Sequence, residues 1–218
     1  MLMVPKVKIC CIANLEEATL ALSYGASALG LVGAMPSGPG VITDEQIFQI
    51  ASAVPTFVAT FLLSSERTAQ GIIAHHQKVK TNTIQLVDAV EQGAYDKIKN
   101  ALPRVQLVQV IHVIDEGSVE EAMMAATQVD AILLDSGNPN LTIKELGGTG
   151  RVHDWRLSRR IRESIDKPLY LAGGLRPDNV RSAIEAVEPF GLDLCSGVRT
   201  NGKLDERKLE AFFKAVQS

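Results

Sequence analysis

Cysteine is scarce in this 218-residue chain, and the three present are the neighbours Cys10 and Cys11 and the distant Cys195. An odd count excludes a fully paired disulfide framework and argues for reduced thiols. No Cys/His series has the spacing of a zinc site, so no metal is expected. Long hydrophobic runs are also missing. None reaches the roughly 18 residues that a membrane-crossing helix needs, and residues 1–7 show no charged leader with an apolar core and a small-residue cleavage site. A cytoplasmic protein without a membrane partner is expected. Excess positive charge is lacking as well: the formal net charge is −3, and no Lys/Arg cluster is interleaved with aromatics. That leaves no basis for nucleic-acid binding.

What is present is the balance of a folded globular chain, hydrophobic in 46% and charged in 22% of its residues, which excludes disorder. Short apolar runs alternate with helix-like stretches along its whole length. Strands are expected at residues 7–12, 28–33, 57–63, 83–87, 105–113, 131–134, 169–172 and 192–194. Asn14 with Glu17, Thr43 with Gln46 and Ser118 with Glu121 form capping boxes at the starts of three helices. Another helix covers about residues 66–77, one starts near Pro177 in its first turn, and the last runs over about residues 205–216. Eight strands alternating with eight helices give a single (β/α)₈ TIM barrel over residues 1–218. The competing architecture is an open doubly wound sheet. That fold places its glycine fingerprint after the first strand, where this chain has Cys10-Cys11-Ile12-Ala13-Asn14.

Three glycine-bearing turns stand out: Gly147-Gly148-Thr149-Gly150, Gly173-Gly174 and Ser196-Gly197. Glycine lets backbone N–H groups approach an anion, and a helix N-terminus adds partial positive charge. A single Gly-Gly pair is as readily a turn needing positive φ. Three of them, all on the strand-to-helix side and two of them after strands seven and eight, point to one phosphate site.

Barrel chemistry sits at the C-terminal strand ends, where Cys10 and Asp135 are the reactive groups. On the first strand Val7, Ile9 and Cys11 share one face and Lys8 and Cys10 the other, which aims Cys10 at the barrel mouth and Cys11 at the helices. Asp135 shares its face with Ala131 and Leu133. Alone, Cys10 reads equally as a small buried hydrophobe and Asp135 as a loop cap. Together, a thiolate base and a carboxylic acid on one phosphorylated substrate can run an isomerisation without a metal or cofactor. His75, His76, His112 and His153 read as structural or solvated, although His112 and His153 lie on the active side.

Lys8-Ile9-Cys10, Leu133-Leu134-Asp135-Ser136, Gly147-Gly148-Thr149-Gly150 with Asp154-Trp155, Leu171-Ala172-Gly173-Gly174 with Asn179, and Ser196-Gly197-Val198 with Gly202-Lys203 occur in that order. As a set they resemble the phosphoribosylanthranilate isomerase family of tryptophan biosynthesis. The resemblance implies a cofactor-free Amadori rearrangement of an N-linked ribose 5-phosphate of anthranilate. Asp135 would protonate the ribose ring oxygen, Cys10 would remove the C2 proton, and Gly147, Gly148, Gly173, Gly174, Ser196 and Gly197 would hold the phosphate.

The departures lie at the aglycone end. Where the family has Lys-Ser-Pro-Arg after strand two, with the arginine on the anthranilate carboxylate, this chain has Pro36-Ser37-Gly38-Pro39-Gly40. Val87-Asp88 replaces His-Gly after strand four, and a carboxylate facing Asp88 would be repelled. Cys11 replaces a glycine and Arg199 an acidic residue. Arg199, Arg151 and Arg176 are the candidates for a relocated carboxylate contact. Three functions stay open on these residues: the family reaction, an isomerase of another ribose 5-phosphate conjugate, and a noncatalytic sugar-phosphate binding barrel. The oligomeric state is left open.

Overall fold

In the computed structural model, which describes residues 4–36, 38–138, 140–141, 144–146 and 150–217, eight parallel strands close into a barrel in sequence order. They are β1 (Lys6–Ile9), β2 (Ala28–Val32), β3 (Ala59–Ser64), β4 (Thr83–Leu86), β5 (Gln106–His112), β6 (Ala131–Asp135), β7 (Leu169–Leu171) and β8 (Gly191–Leu194). The ring is shut by β1 on β8, in register from Lys6 opposite Gly191 to Ile9 opposite Leu194. Outside it lie α1 (Leu15–Ser23), α2 (Asp44–Ala53), α3 (Ala69–Val79), α4 (Ala94–Ala101), α5 (Gly117–Ala126), α6 (Trp155–Ser164), α7 (Val180–Val187) and α8 (Glu206–Gln217). Among the described residues no helix is long and apolar enough to cross a membrane.

Period-two alternation sorts the strands into two cores. Val7, Ile9, Ile132, Leu134, Leu169, Leu171, Leu192 and Leu194 face outward and are buried under the helices. Ala131, Leu133, Val108, Val110, Phe61 and Tyr170 fill the barrel. Each fully buried Leu or Ile contributes about 1.5–3 kcal/mol, so the outer layer dominates the apolar stabilisation. The inner layer contains an ion pair as well. Lys8 is 0% exposed and its Nζ lies 2.7 Å from Asp193 Oδ2, with Phe61 beneath it at 5.0 Å from the ring centroid. Burial works against the charge, yet Asp193 holds the Lys8 ammonium well above its ordinary pKa.

Local signals differ from expectation at four places. Phe57, expected to open the third strand, is 87% exposed, because the chain turns at Pro55 to Val58 before β3 begins at Ala59. Pro177 sits in a turn ahead of α7, not in the helix. Ser118 lies inside α5 and is buried. Its Oγ accepts from the N–H groups of Ile114 and Asp115 and donates to the His112 carbonyl, bracing the β5–α5 turn instead of capping. The Thr43–Gln46 box is complete. The Asn14–Glu17 box is half formed: Asn14 Oδ1 accepts the Glu17 N–H at 2.8 Å, but Glu17 Oε2 accepts from Ala13.

Candidate active site

One cavity opens at the C-terminal ends of the strands, lined by Cys10, Asp135, Gly150, Gly173, Gly174, Ser196 and Gly197 among others. Cys10 follows β1 directly, and its N–H donates to the Leu194 carbonyl at 2.8 Å. Gly30 on β2 makes room for it. A Cβ there would come within 2.8 Å of Cys10 Sγ and 3.1 Å of Lys8 Nζ, closer than real Cβ atoms approach in the first case. The Lys8 ammonium is therefore a neighbour of the thiol and a counter-charge for a thiolate.

Asp135 ends β6 in register with His112 of β5 and is buried. Burial pushes its carboxyl upward, against the opposing hydrogen bond to Ser136 and the nearby His112. A carboxyl shifted this way holds its proton to higher pH than an ordinary aspartate, which favours the acid form that can deliver it. Asp193, on β8, also lines the cavity and keeps Oδ1 without a hydrogen-bond partner among the described residues.

The glycine turns meet one another. Gly150, Gly173 and Gly174 have φ of 68°, 85° and 61°, a region that favours glycine. A Cβ on Gly174 would stand 2.9 Å from the carbonyl oxygens of Gly150 and Arg151, and one on Gly197 would stand 2.0 Å from the Leu175 oxygen. Ser196 and Gly197 form a 3₁₀ turn, Ser196–Val198, between β8 and a small ribbon of β9 (Arg199–Thr200) and β10 (Lys203–Leu204). Asn179 pins the Gly174 turn by donating from Nδ2 to the Gly174 carbonyl at 2.9 Å and accepting the Arg176 N–H at 2.8 Å. His153 supports the same turn from behind. Its Nε2 lies 2.7 Å from Ser158 Oγ, and burial lowers its pKa to about 4, so it is neutral at pH 7. Gly147 and Gly148 lie outside the described residues.

Cys11 corrects the alternation expected for the first strand. The strand ends at Ile9, Cys11 takes φ 61°, and its side chain joins Cys10 in the cavity instead of facing the helices. The turn needs a left-handed residue, which is why glycine suits this position. Cys11 Sγ lies 2.8 Å from Cys195 Sγ. A Cβ at Gly40, itself at φ 80°, would stand 2.5 Å from Cys11 Cβ. As the backbone stands, a side chain at 11 and one at 40 are mutually exclusive.

None of the three candidate arginines lines the cavity. Arg199 is turned beneath the β1 loop: its guanidinium bonds Glu17 at 2.9 and 3.0 Å and donates to the carbonyls of Cys11 at 2.6 Å and Gly202 at 2.9 Å. Glu17 also accepts the Leu204 N–H at 2.9 Å, which ties α1 to the ribbon. Arg151 pairs with Glu145, and Arg176 with Asp178 at 3.1 Å. All three are thus engaged with other partners in this arrangement. The repulsion expected from Asp88 is also corrected. Asp88 pairs with Lys144, and that bond lowers its pKa despite the opposing burial.

No group of three or more His, Cys, Asp or Glu residues among those described is arranged to hold a metal ion. Asp193 and Cys195 line the cavity without having been anticipated as site residues. Asp193 had a signal: a charge between Leu192 and Leu194 on a doubly covered strand must point inward and be paired.

Comparison with known proteins agrees along the whole chain. The family model described as N-(5'phosphoribosyl)anthranilate (PRA) isomerase matches residues 7–215. The N-(5'-phosphoribosyl)anthranilate isomerase of Methanocella arvoryzae is 35% identical over 213 residues, covering 97% of this chain and 98% of the relative. That of Methanosarcina acetivorans is 36% identical over 225 residues, covering 97% and 93%. The crystal structure of the Thermotoga maritima phosphoribosyl anthranilate isomerase is similar with a TM-score of 0.81, 32% identity and 98% of each chain covered. A phosphoribosyl anthranilate isomerase in complex with reduced 1-(o-carboxyphenylamino)-1-deoxyribulose 5-phosphate is similar with a TM-score of 0.79, 30% identity and 98% of each chain covered.

Proposed function

The chain belongs to the N-(5'-phosphoribosyl)anthranilate isomerase family, and from that membership we propose how its cavity carries the reaction. The reaction is an aldose–ketose rearrangement of N-(5'-phosphoribosyl)anthranilate to 1-(o-carboxyphenylamino)-1-deoxyribulose 5-phosphate, a step of tryptophan biosynthesis. The phosphate sits on the turns of Gly173-Gly174 and Ser196-Gly197. Backbone N–H groups at these turns give fixed donors for an anion. The free oxygen of Asp193 is an acceptor for a ribose hydroxyl.

Asp135, whose burial favours the acid form, gives its proton to the ribose ring oxygen. The C1–O bond breaks and the nitrogen lone pair forms an iminium. Cys10, as thiolate, takes the C2 proton, and the electrons of that C–H bond move to give the enolamine. Tautomerisation to the C2 ketone completes the rearrangement. Lys8, under Cys10, offsets the negative charge of the thiolate before the proton is taken. Val32, Met35, Pro39 and Leu63 make the apolar wall against which the aromatic ring packs.

The observation that carries this reading is the convergence of Cys10, Asp135 and the glycine turns on one cavity. The test is rescue of a tryptophan auxotroph, with steady-state kinetics of Cys10→Ala on the purified enzyme. The wild-type gene should restore growth, and Cys10→Ala should lose about 10²–10⁴-fold in kcat, the usual value of a positioned base. Failure of the wild-type gene to restore growth, or full turnover by Cys10→Ala, would remove the assignment.

A further inference from the structure

All three cysteines of the chain lie in the active-site cavity. Only Cys10 has a role in the rearrangement. Cys11 and Cys195 bring their sulfurs to 2.8 Å across 184 positions of sequence, against about 2.0 Å in a disulfide. A closure of less than about 1 Å would join them. We propose that Cys11 and Cys195 are a redox-active pair that a peroxide converts reversibly to a disulfide, fastening the end of β1 to the phosphate turn.

Several features support the pair beyond proximity. Cys11 is held in place through its backbone: its carbonyl accepts from Arg199, and its φ of 61° turns the side chain toward β8. Cys195 is partly exposed at the cavity wall, so a small oxidant can reach it. The two thiols are also unlike. Cys195 is lowered by its hydrogen bond with Cys11 and by the charge of Arg199, while hydrogen bonding to Cys10 and Cys195, with burial, pushes Cys11 up. Exposure assigns the roles: Cys195, the more open of the two, meets the oxidant first, and the buried Cys11 resolves it.

The chemistry balances with a hydroperoxide as oxidant. The Cys195 thiolate attacks one peroxide oxygen, the O–O bond breaks, and the leaving oxygen takes a proton, giving Cys195 sulfenic acid. Cys11 sulfur then attacks the Cys195 sulfur. The S–S bond forms as the S–OH bond breaks, and the hydroxide leaves as water with the Cys11 proton. Two electrons pass from the two thiols to the peroxide, and an external dithiol returns them by exchange. Because Cys11 follows the proposed base and Cys195 precedes Ser196-Gly197, the bridge stops turnover. That last effect rests on the reading of the active site given above; the bridge itself does not.

Peroxide treatment of the native protein, followed by denaturing thiol titration and peptide mapping, tests the bridge. Titratable thiols should fall from the three of the sequence to one, with a linked peptide containing Cys11 and Cys195 and Cys10 left free. Dithiothreitol should restore all three, and turnover with them. Cys195→Ser should yield no linked peptide and show no reductant-recoverable loss of activity under peroxide. Three thiols surviving the treatment would overturn the proposal, as would a Cys10–Cys11 bridge or oxidation confined to Cys10. The wild-type peptide map requires no variant to fold. An absence of turnover in the fully reduced enzyme would count against the isomerase reading and leave the bridge standing.

Discussion

The barrel mouth has two unlike halves. Around β1, β6, β7 and β8 the site is built from glycine turns and two buried carboxyls, Asp135 and Asp193. Around β2 to β4 it is built from apolar side chains, a Pro-Gly loop and an ion pair, Asp88 with Lys144, that reaches across to the β6 loop. The two aspartates show the contrast. Burial raises Asp135, which suits proton delivery, whereas Lys144 overcomes burial and lowers Asp88, which suits a fixed charge holding two loops together. On the function proposed above, the first half handles phosphate and protons and has little freedom to vary, since backbone donors have no substitute. The aglycone half can change its side chains and still present an apolar wall.

The largest expected effect sharpens that contrast. Asp135→Asn should cost about 10²–10⁴-fold in kcat, as loss of a general acid does, while Asp88→Asn should cost less than about tenfold, since it touches a loop contact and not the reacting atoms. Equal losses in steady-state assays would erase the distinction between the halves.

Next is Glu17→Gln. Arg199 is only 8% exposed along its side chain and Glu17 12%, so neutralising the carboxylate leaves a buried guanidinium without its counter-charge. A loss of about 3 kcal/mol is expected in denaturant unfolding. A loss under about 1 kcal/mol would show that this pair behaves as a surface contact.

A smaller effect concerns the exclusion between positions 11 and 40. Gly40→Arg alone meets Cys11 Cβ and a left-handed backbone, and overpacking of this kind costs about 1–3 kcal/mol. Combined with Cys11→Gly the clash is gone, and at least half of that loss should be recovered, a coupling readable in a double-mutant cycle. Additive losses would mean that the two departures from the family pattern are unrelated.

The smallest effect is in pH dependence. Folded Asp135 binds its proton more tightly than an unfolded aspartate, so from the ordinary value of 3.8 upward the folded state holds more protons, and stability falls as pH rises through the raised value. Asp88 does the reverse. Its contribution is fully present above 3.8 and is lost as pH falls through its depressed value. In Tm–pH profiles, Asp135→Asn should flatten the decline on the rising side, and Asp88→Asn should lower Tm near neutrality and have no effect at the acid end.

Much of this was legible in the residues. Ala131, Leu133 and Asp135 share a face by simple alternation, and the structure keeps them on the barrel interior. The strand count, the Thr43–Gln46 box and the meeting of the late glycine turns follow from equally local patterns. What escaped depends on partners far along the chain. Arg199 finds Glu17 at a separation of 182 residues and Asp88 finds Lys144 at 56, and no local pattern encodes either. Cys11 escaped for another reason: alternation holds only while the strand lasts, and the left-handed turn at Cys11 itself, past Ile9, sends its side chain to the cavity.

The contact of Lys8 with Asp193 spans 185 positions, and it sets the order in which the ring can be finished. Bringing two points that far apart together costs about 4–5 kcal/mol in chain entropy at the length dependence of a flexible loop, before any contact is gained. Until β8 docks, Lys8 lacks the carboxylate it bonds inside the barrel, and closing the inner layer around the ammonium without that bond is costly. A chain interrupted ahead of residue 193 is therefore expected to leave the ring open. The lysine acts as a gauge of completeness, permitting the last seam to close only after the final strand has been synthesised.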